Sequence, residues 1–525
     1  MRRKDSTQKT LESGEVFPLR KLFVPLLLIV TFLYALALND KWRFQRDSAV
    51  YMGLGRSILE GRGYTFNYAP HTMYPPGLPV MVAGTGAIFG IPDELSDSFL
   101  AYNLLITLLG LGCIPLFYLI LRELNLPPPV MAIAFLFLCF SRTLYYYSVH
   151  IMSDVPFTFF TLAALLLGLL MLRWEGWKSW AACAGAALMI AIASNIRPVG
   201  PLLLPAVLGG LWLHRKAFGK WKGNLGKSVI LFVLPAVPLI LFMFWADSAR
   251  PGGWKHYFHA KLNMGRFACF FRHFLGQFGN NLRALNDTLM GTDIARIVGL
   301  ILALIMLVGL IRAFKSGERQ LSLFALLLMA AIWGGGWSLG RRYLLPAIPV
   351  MYYWLASGGA AIGEFLKKRW AFWTPSRTRR LAYITIGLVV TVNLVRIGDV
   401  IIEQRGQFYS DIEEGKLASY KPVFAWLRKN GSGKETVVGG YERTIIHYFT
   451  RVKSRYLKRN TRHFTEAQAL RWLRSVDFLV EDQTQPESTG GQKILTNDSP
   501  VILRQIDVGG TEQVKLLRVV FTNSP

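Results

Sequence analysis

From Val155 to Leu172 the chain runs VPFTFFTLAALLLGLLML without one charged residue. That is close to the roughly 20 apolar residues that cross a bilayer as a helix. Leu321–Leu339 is built in the same way, and such runs recur along the 525 residues, of which 52% are apolar and 17% charged. Soluble domains carry about 25% charged residues, so this chain lacks the polar surface of a water-soluble protein. A small soluble enzyme, a disordered tail and a secreted disulfide scaffold are excluded. The fold class is a polytopic α-helical membrane protein.

Apolar spans are expected near residues 22–38, 98–121, 127–140, 155–172, 179–194, 198–213, 229–245, 297–311, 321–339, 343–363 and 381–395, about 11 in all. The segment Pro75–Gly90 is apolar but broken by Pro and Gly, and the distribution of charge decides its place. With a cytoplasmic N-terminus and 75–90 re-entrant or lying on the surface, the later cytoplasmic links hold 17 Lys/Arg in 53 residues. The opposite links hold 10 in 73. The positive-inside rule favours this arrangement, and it puts residues 403–525 outside. The formal charge of +27 would suggest nucleic acid in a soluble protein. Here it is mainly a topology signal, and no nucleic-acid partner is expected. The apolar N-terminal segment ends in Asn39-Asp40-Lys41 without a small-residue cleavage site, so it reads as a retained first helix.

Residues 1–402 form the expected membrane domain, with a first external loop at 39–97, and 403–525 differ in kind. The tail has 19 Lys/Arg against 14 Asp/Glu and no spanning run. Helix-like Leu417–Asn430 and Thr465–Val476 alternate with strand-like Glu435–Gly439, Asp477–Val480 and Val514–Phe521. These predict a small external α/β domain with a flexible break at 484–492. Cys113, Cys139 and Cys183 sit in apolar runs and Cys269 stands alone, so no zinc or disulfide spacing exists.

Candidate chemistry collects at the outer loops. The first is far longer than a connector needs, and carries an amphipathic, aromatic-flanked stretch, Ser48–Glu60, suited to the membrane interface. Asp47 precedes that stretch. It is placed to take a proton from a hydroxyl as a general base, or to cap the helix it opens. In the second loop Asp154 stands at the outer end of a spanning helix, where Ser153 or Asp154 could cap and Pro156 sits in the first turn. His150 reads as an interfacial hydrogen-bonding residue rather than a metal ligand. Arg197, in a short outer turn, and Arg341-Arg342, at the start of a later helix, lie on the side where cations are disfavoured. Arg donates two parallel hydrogen bonds to phosphate; the alternative is snorkelling at a helix end. His256 and His259 lack a carboxylate set and are discounted as a metal site.

Asp47 and Tyr51, then Gly61-x-Gly63-Tyr64 and Tyr74-Pro75-Pro76-Gly77-x-Pro79, resemble the first outer loop of the GT-C membrane glycosyltransferases. The likeness is to the protein O-mannosyltransferase, aminoarabinose transferase and RgtA/B/C/D-like group. Ser153-Asp154-x-Pro156, the segment from Arg342 to Pro349 (RYLLPAIP) and Trp426–Tyr456 are similar to later parts of that group. The resemblance implies an inverting transfer of a sugar from a polyprenyl-phosphate-linked donor to a lipid, glycan or protein acceptor at the outer face. It implies catalytic roles for Asp47 and Asp154, and donor phosphate contacts for Arg197, Arg342 and Arg341. It implies loop and acceptor positioning by Tyr51, Tyr64, Tyr74 and His150. No cofactor or metal is expected. Two departures stand out: Met73-Tyr74 replace the Lys that aminoarabinose transferases carry before the Pro-Pro pair, and Ser48 replaces the Glu that O-mannosyltransferases place after the loop-one Asp. The expected location is the inner (cytoplasmic) membrane of a bacterium, with the tail periplasmic or extracellular. A lipid or solute transporter is the alternative, which would need paired repeats and charges near mid-membrane.

Overall fold

The computed structural model describes residues 19–43, 46–93, 97–213, 221–251, 253, 289, 296–316, 319–334, 341–369, 375–405, 419–440, 443–456, 466–482, 501–508 and 514–521. The expected break at 484–492, Cys269, His256 and His259 lie outside the described residues.

Apolar sequence becomes helix because lipid leaves every backbone polar group to be satisfied within its own segment. Among the described residues seven helices are long and apolar enough to cross a membrane: Leu100–Glu123, Pro128–Tyr147, Asp154–Arg173, Gly176–Ile196, Gly223–Ala249, Ile297–Lys315 and Arg342–Arg369. The other expected spans fall on shorter apolar helices, Phe23–Ala37, Gly200–Trp212 and Arg319–Ile332, and on the helix Pro375–Arg405. The Pro- and Gly-broken segment 75–90 forms a 13-residue helix, Gly77–Phe89. The protein is a multi-pass membrane protein: among the described residues seven of the eleven expected spans are long apolar helices, and the other four fall on helices that are shorter or less apolar.

The chain divides into two compact units. The first holds residues 1–38, 72–77 and 104–401, and its described elements are helices. Within it the Pro128–Cys139 helix opens on Pro at its first turn, where a missing N–H costs nothing. It gives way at Phe140 to the short helix Arg142–Tyr147, whose start is capped by Ser141 Oγ accepting from Leu144 N–H at 3.4 Å. Tyr145 Oη donates to the Leu33 carbonyl at 2.6 Å, tying that short helix to the first one.

The second unit joins residues 39–71 and 78–103 to the tail from Ile402 onward. Its sheet has the order β4-β3-β5-β7-β6, with β3 Val437–Gly440, β4 Lys453–Tyr456, β5 Phe478–Asp482, β6 Val501–Ile506 and β7 Val514–Phe521. β3 runs parallel to β4 and β5, pairing Val438 with Ser454 and Phe478. Parallel neighbours need crossovers, and the helices Arg443–Thr450 and Glu466–Leu473 supply them. β7 closes antiparallel against β5 and β6. Val438, Leu479, Leu516, Leu427 and Ile446 are fully buried and form part of its core. The hairpin of β1, Thr65–Phe66, and β2, Ala69–Pro70, turns through Asn67 and Tyr68, both at positive φ. Asn tolerates that conformation better than other residues with a side chain.

Candidate functional site

Asp154 opens the helix Asp154–Arg173, with Ser153 at the N-cap position but making no side-chain capping bond. The Asp154 carboxylate is instead turned to two arginines. Arg197 Nη1 donates to Oδ1 at 2.7 Å, and Arg342 Nε lies 3.1 Å from Oδ2. The second contact is at ion-pair distance but outside hydrogen-bond alignment. The Asp154 side chain is 0% exposed, that of Arg197 9% and that of Arg342 23%. A lone carboxylate at such burial would be costly, so pairing is what permits it.

Local sequence sets this geometry. Arg197 ends the helix Gly176–Ile196 in an extended conformation, as the residue before Pro198 is steered away from helix. Gly200 follows, where any Cβ would meet the Ser194 backbone at 2.5 Å, so only glycine allows the tight return. Arg342 lies in the one-turn helix Arg341–Leu344. Pro346 then shapes a single 3-10 turn before the helix Ile348–Arg369 begins. Leu344, Leu345, Ala347 and Ile348 are all buried, which anchors the turn and aims Arg342. Tyr343 completes the cluster: the Arg197 and Arg342 guanidinium carbons lie 5.3 and 5.6 Å from its ring centre.

Two guanidinium groups against one carboxylate leave a net positive charge, which suits a second anion, and Arg342 is the more exposed of the two. The structure thus brings together Asp154, Arg197 and Arg342, which the sequence offers as three separate motifs. Tyr343 stands in the quoted motif, but its place between the two arginines is not legible there. The Arg341 side chain lies outside the described residues. His150 is 5% exposed; its Nδ1 donates to the Tyr146 carbonyl at 2.8 Å and its ring packs 4.5 Å from that of Tyr146. Tyr74 is half-buried in the 72–77 segment of the same unit.

Asp47, Tyr51 and Tyr64 belong to the second unit. Asp47 sits in the first turn of the helix Arg46–Leu59 and is half-buried, where the helix dipole favours a carboxylate. Tyr51 is 2% exposed, and Tyr64 faces the His71 ring at 6.3 Å. Ser48, fully buried, accepts a hydrogen bond from Trp42 Nε1 at 3.1 Å. Sequence reasoning passes over Arg56, which is 5% exposed. Its Nη2 lies 2.9 Å from Asp93 Oδ1. Burial raises the Asp93 carboxyl, but Arg56, Arg451 and Arg428 outweigh it and hold the group below the ordinary aspartate value. Among the described residues no group of three or more His, Cys, Asp or Glu is arranged to hold a metal.

Residues 86–250 match the family described as dolichyl-phosphate-mannose-protein mannosyltransferase. A comparison with curated protein sequences returns no match. Among solved structures, ArnT from Cupriavidus metallidurans bound to undecaprenyl phosphate superposes with a TM-score of 0.59 at 12% identity, over 95% of this chain and 98% of that one. AglB, an archaeal oligosaccharyltransferase from Archaeoglobus fulgidus in complex with an inhibitory peptide and a dolichol-phosphate, gives a TM-score of 0.53 at 13% identity, over 89% and 70%. The Archaeoglobus fulgidus oligosaccharyltransferase tethered to an acceptor peptide gives 0.56 at 14% identity, over 96% and 74%. The family match thus covers residues 86–250, and the chain shares its fold with these membrane transferase structures.

Proposed function

We propose that the chain is a membrane glycosyltransferase that moves a sugar from a polyprenyl-phosphate-linked donor to a lipid, glycan or protein acceptor at the outer face of the membrane. The observation that carries this reading is the buried Asp154 carboxylate shared by Arg197 and Arg342, in a chain whose fold is that of proteins solved with lipid phosphates. The arginines hold the donor phosphate and stabilise the charge that builds on it, and Asp154 keeps both guanidiniums in place. Arg341 is assigned to the same phosphate from the sequence.

In the reaction Asp47 takes the proton of the acceptor hydroxyl. The acceptor oxygen attacks the anomeric carbon from the face opposite the phosphate, and the carbon–oxygen bond to phosphate breaks. Its electron pair leaves with the polyprenyl phosphate, and the configuration inverts. Phosphate leaves without a strong general acid, so electrostatic stabilisation by arginine suffices. Tyr51, Tyr64, Tyr74 and His150 position the loops and acceptor, and no metal is required. This reading places the enzyme in the inner membrane with a cytoplasmic N-terminus, and treats residues 403–525 as an external domain.

The test is mass spectrometry of envelope glycans and lipids from a strain lacking the gene. One sugar should disappear, wild-type protein should restore it, and Asp47→Asn should not, despite normal expression and folding. Loss of a general base costs on the order of 10²–10⁴-fold in rate. An unchanged envelope, or full rescue by Asp47→Asn, overturns the assignment.

A further inference from the structure

The helix that carries Asp47 is held by one short segment of the tail, the helix Arg443–Thr450. Near the start of the Arg46–Leu59 helix, Trp42 is bound to Ser48 and packs against Tyr448 and Phe449, with ring centres 5.6 and 5.5 Å away. At its far end Arg56 Nη1 donates to the Tyr448 carbonyl at 3.0 Å, and the guanidinium lies 4.4 Å over the Tyr448 ring. Gly53, between them, lets the Phe66 ring lie so close that a Cβ would meet Cε2 at 2.6 Å.

The hairpin that follows is fastened to the same place. Asn67 acts as a one-residue extension of the sheet edge: Nδ2 donates to the Ser454 carbonyl and Oδ1 accepts from Ser454 N–H, both at 2.7 Å. Its own backbone N–H donates to His447 Nε2 at 2.9 Å. His447 Nδ1 donates to the Val452 carbonyl at 2.8 Å, so the two bonds fix one neutral tautomer. Tyr68 Oη donates to the Arg451 carbonyl. Phe66 and Tyr68 then close on the imidazole edge-on, at 4.9 and 5.5 Å.

We propose that the tail is a positioning element for the reaction: His447 and Asn67 clamp the first loop and thereby hold the Asp47 helix in register. The clamp rests on the reading of Asp47 as the general base. A tail that served only to capture the acceptor would have no use for a part-buried backbone-to-imidazole bond to the loop. Displacement of a catalytic group by about 1 Å costs on the order of 10²-fold, so the clamp acts on turnover rather than on affinity.

The experiment uses the full-length protein in lipid nanodiscs with three variants. Asn67→Gly keeps the left-handed backbone and deletes only the contact to Ser454, leaving the tail sheet untouched. His447→Phe keeps a ring against Phe66 and Tyr68 but removes both hydrogen bonds. His447→Gln restores one donor and one acceptor. Hydrogen–deuterium exchange of residues 47–55 should speed up about tenfold in the first two variants while the strand Val514–Phe521 stays protected, and His447→Gln should recover part of the protection. With a polyprenyl-phosphate sugar that the wild-type protein uses, kcat should fall on the order of 10–100-fold while the KM of donor and acceptor hold. Unchanged exchange in both variants overturns the clamp, and a raised acceptor KM at unchanged kcat overturns the positioning role. No transfer by the wild-type protein overturns the transferase reading, and exchange alone then judges the clamp.

Discussion

Arg197 Nη1 meets Asp154 Oδ1 at 2.7 Å, where the carboxylate is wholly buried and the guanidinium nearly so. Arg342 approaches the other carboxylate oxygen from a position 23% exposed. The carboxylate therefore sees a closed side and an open side. The closed partner fixes the cluster, and the open one is the more accessible to an incoming anion.

Removing Asp154 takes the ion-pair partner from the buried Arg197 and weakens the hold on the half-buried Arg342. Truncating one partner of a buried pair costs about 3–5 kcal/mol, so Asp154→Ala should lower thermal stability by that order. Arg197→Ala should do the same by stranding the carboxylate against Arg342 alone. The double variant should lose less than the sum of the two, with a coupling of about 1–3 kcal/mol. Thermal unfolding in detergent reads all three, and strict additivity would show that the pair does not act as a unit.

Arg342 should behave differently, being the open member. Arg342→Lys keeps the charge but loses the planar fork that meets phosphate with two parallel hydrogen bonds. Unfolding should shift little, while the KM for a polyprenyl-phosphate donor rises about tenfold, the scale of one lost charge-assisted bond. A donor KM equal to wild type would remove Arg342 from the phosphate site.

Why the sequence discloses this cluster but not the loop's anchorage is a matter of range. Asp154, Arg197 and Arg342 each stand at a helix end with a proline within the next four residues, so local rules flag them one by one, although their meeting at one carboxylate requires the fold. The β7 strand, Val514–Phe521, is legible to the residue, since a Val-rich stretch with Lys515 and Arg518 interspersed reads as a half-buried strand. Arg443–Thr450 is not. Its core, Ile-Ile-His-Tyr-Phe, favours strand by propensity, yet it folds as the crossover helix that a parallel pair demands. Lys453–Tyr456 is missed for the opposite reason, being a polar edge strand without an apolar stripe. The bonds from Asn67 to Ser454 and from Arg56 to Tyr448 join positions 387 and 392 apart, and no window along the chain reaches that far.

The same anchorage has a pH signature. Burial pushes the His447 imidazole down to about 4, with Arg62 and Arg56 adding to the effect and the bond to Val452 opposing it. An unfolded histidine titrates near 6.5. Between those values the opened segment takes up a proton that the closed one refuses. The stability of the closed form is therefore complete above about pH 6.5 and declines toward pH 4, by about 3 kcal/mol in full. Asp93, held below its ordinary value, adds a loss of the same sign at still lower pH. The protection factors of residues 443–450, with the intrinsic pH dependence of exchange divided out, should fall steeply from pH 7.5 to 4.5 in wild type and stay nearly flat in His447→Gln. A parallel fall in both would assign the acid sensitivity elsewhere.

In the helical unit, the helices Arg296–Ser316 and Ile348–Arg369 approach closely at a reciprocal pair of glycines. A Cβ on Gly309 would run into the Trp354 carbonyl, and one on Gly358 into the Ile305 carbonyl. Both obstacles are backbone, so no rotamer change relieves them. Small residues at such crossings let helices gain contact where no hydrophobic force drives them together in lipid. Gly309→Ala or Gly358→Ala must part the helices, and overpacking of this type costs about 1–3 kcal/mol. The first substitution opens the gap that the second needs, so the pair should cost less than the sum of the singles. Alanine propensity alone would stabilise a helix by nearly 1 kcal/mol over glycine. A rise in the unfolding temperature on either substitution would therefore mean that the close crossing is not maintained in the membrane.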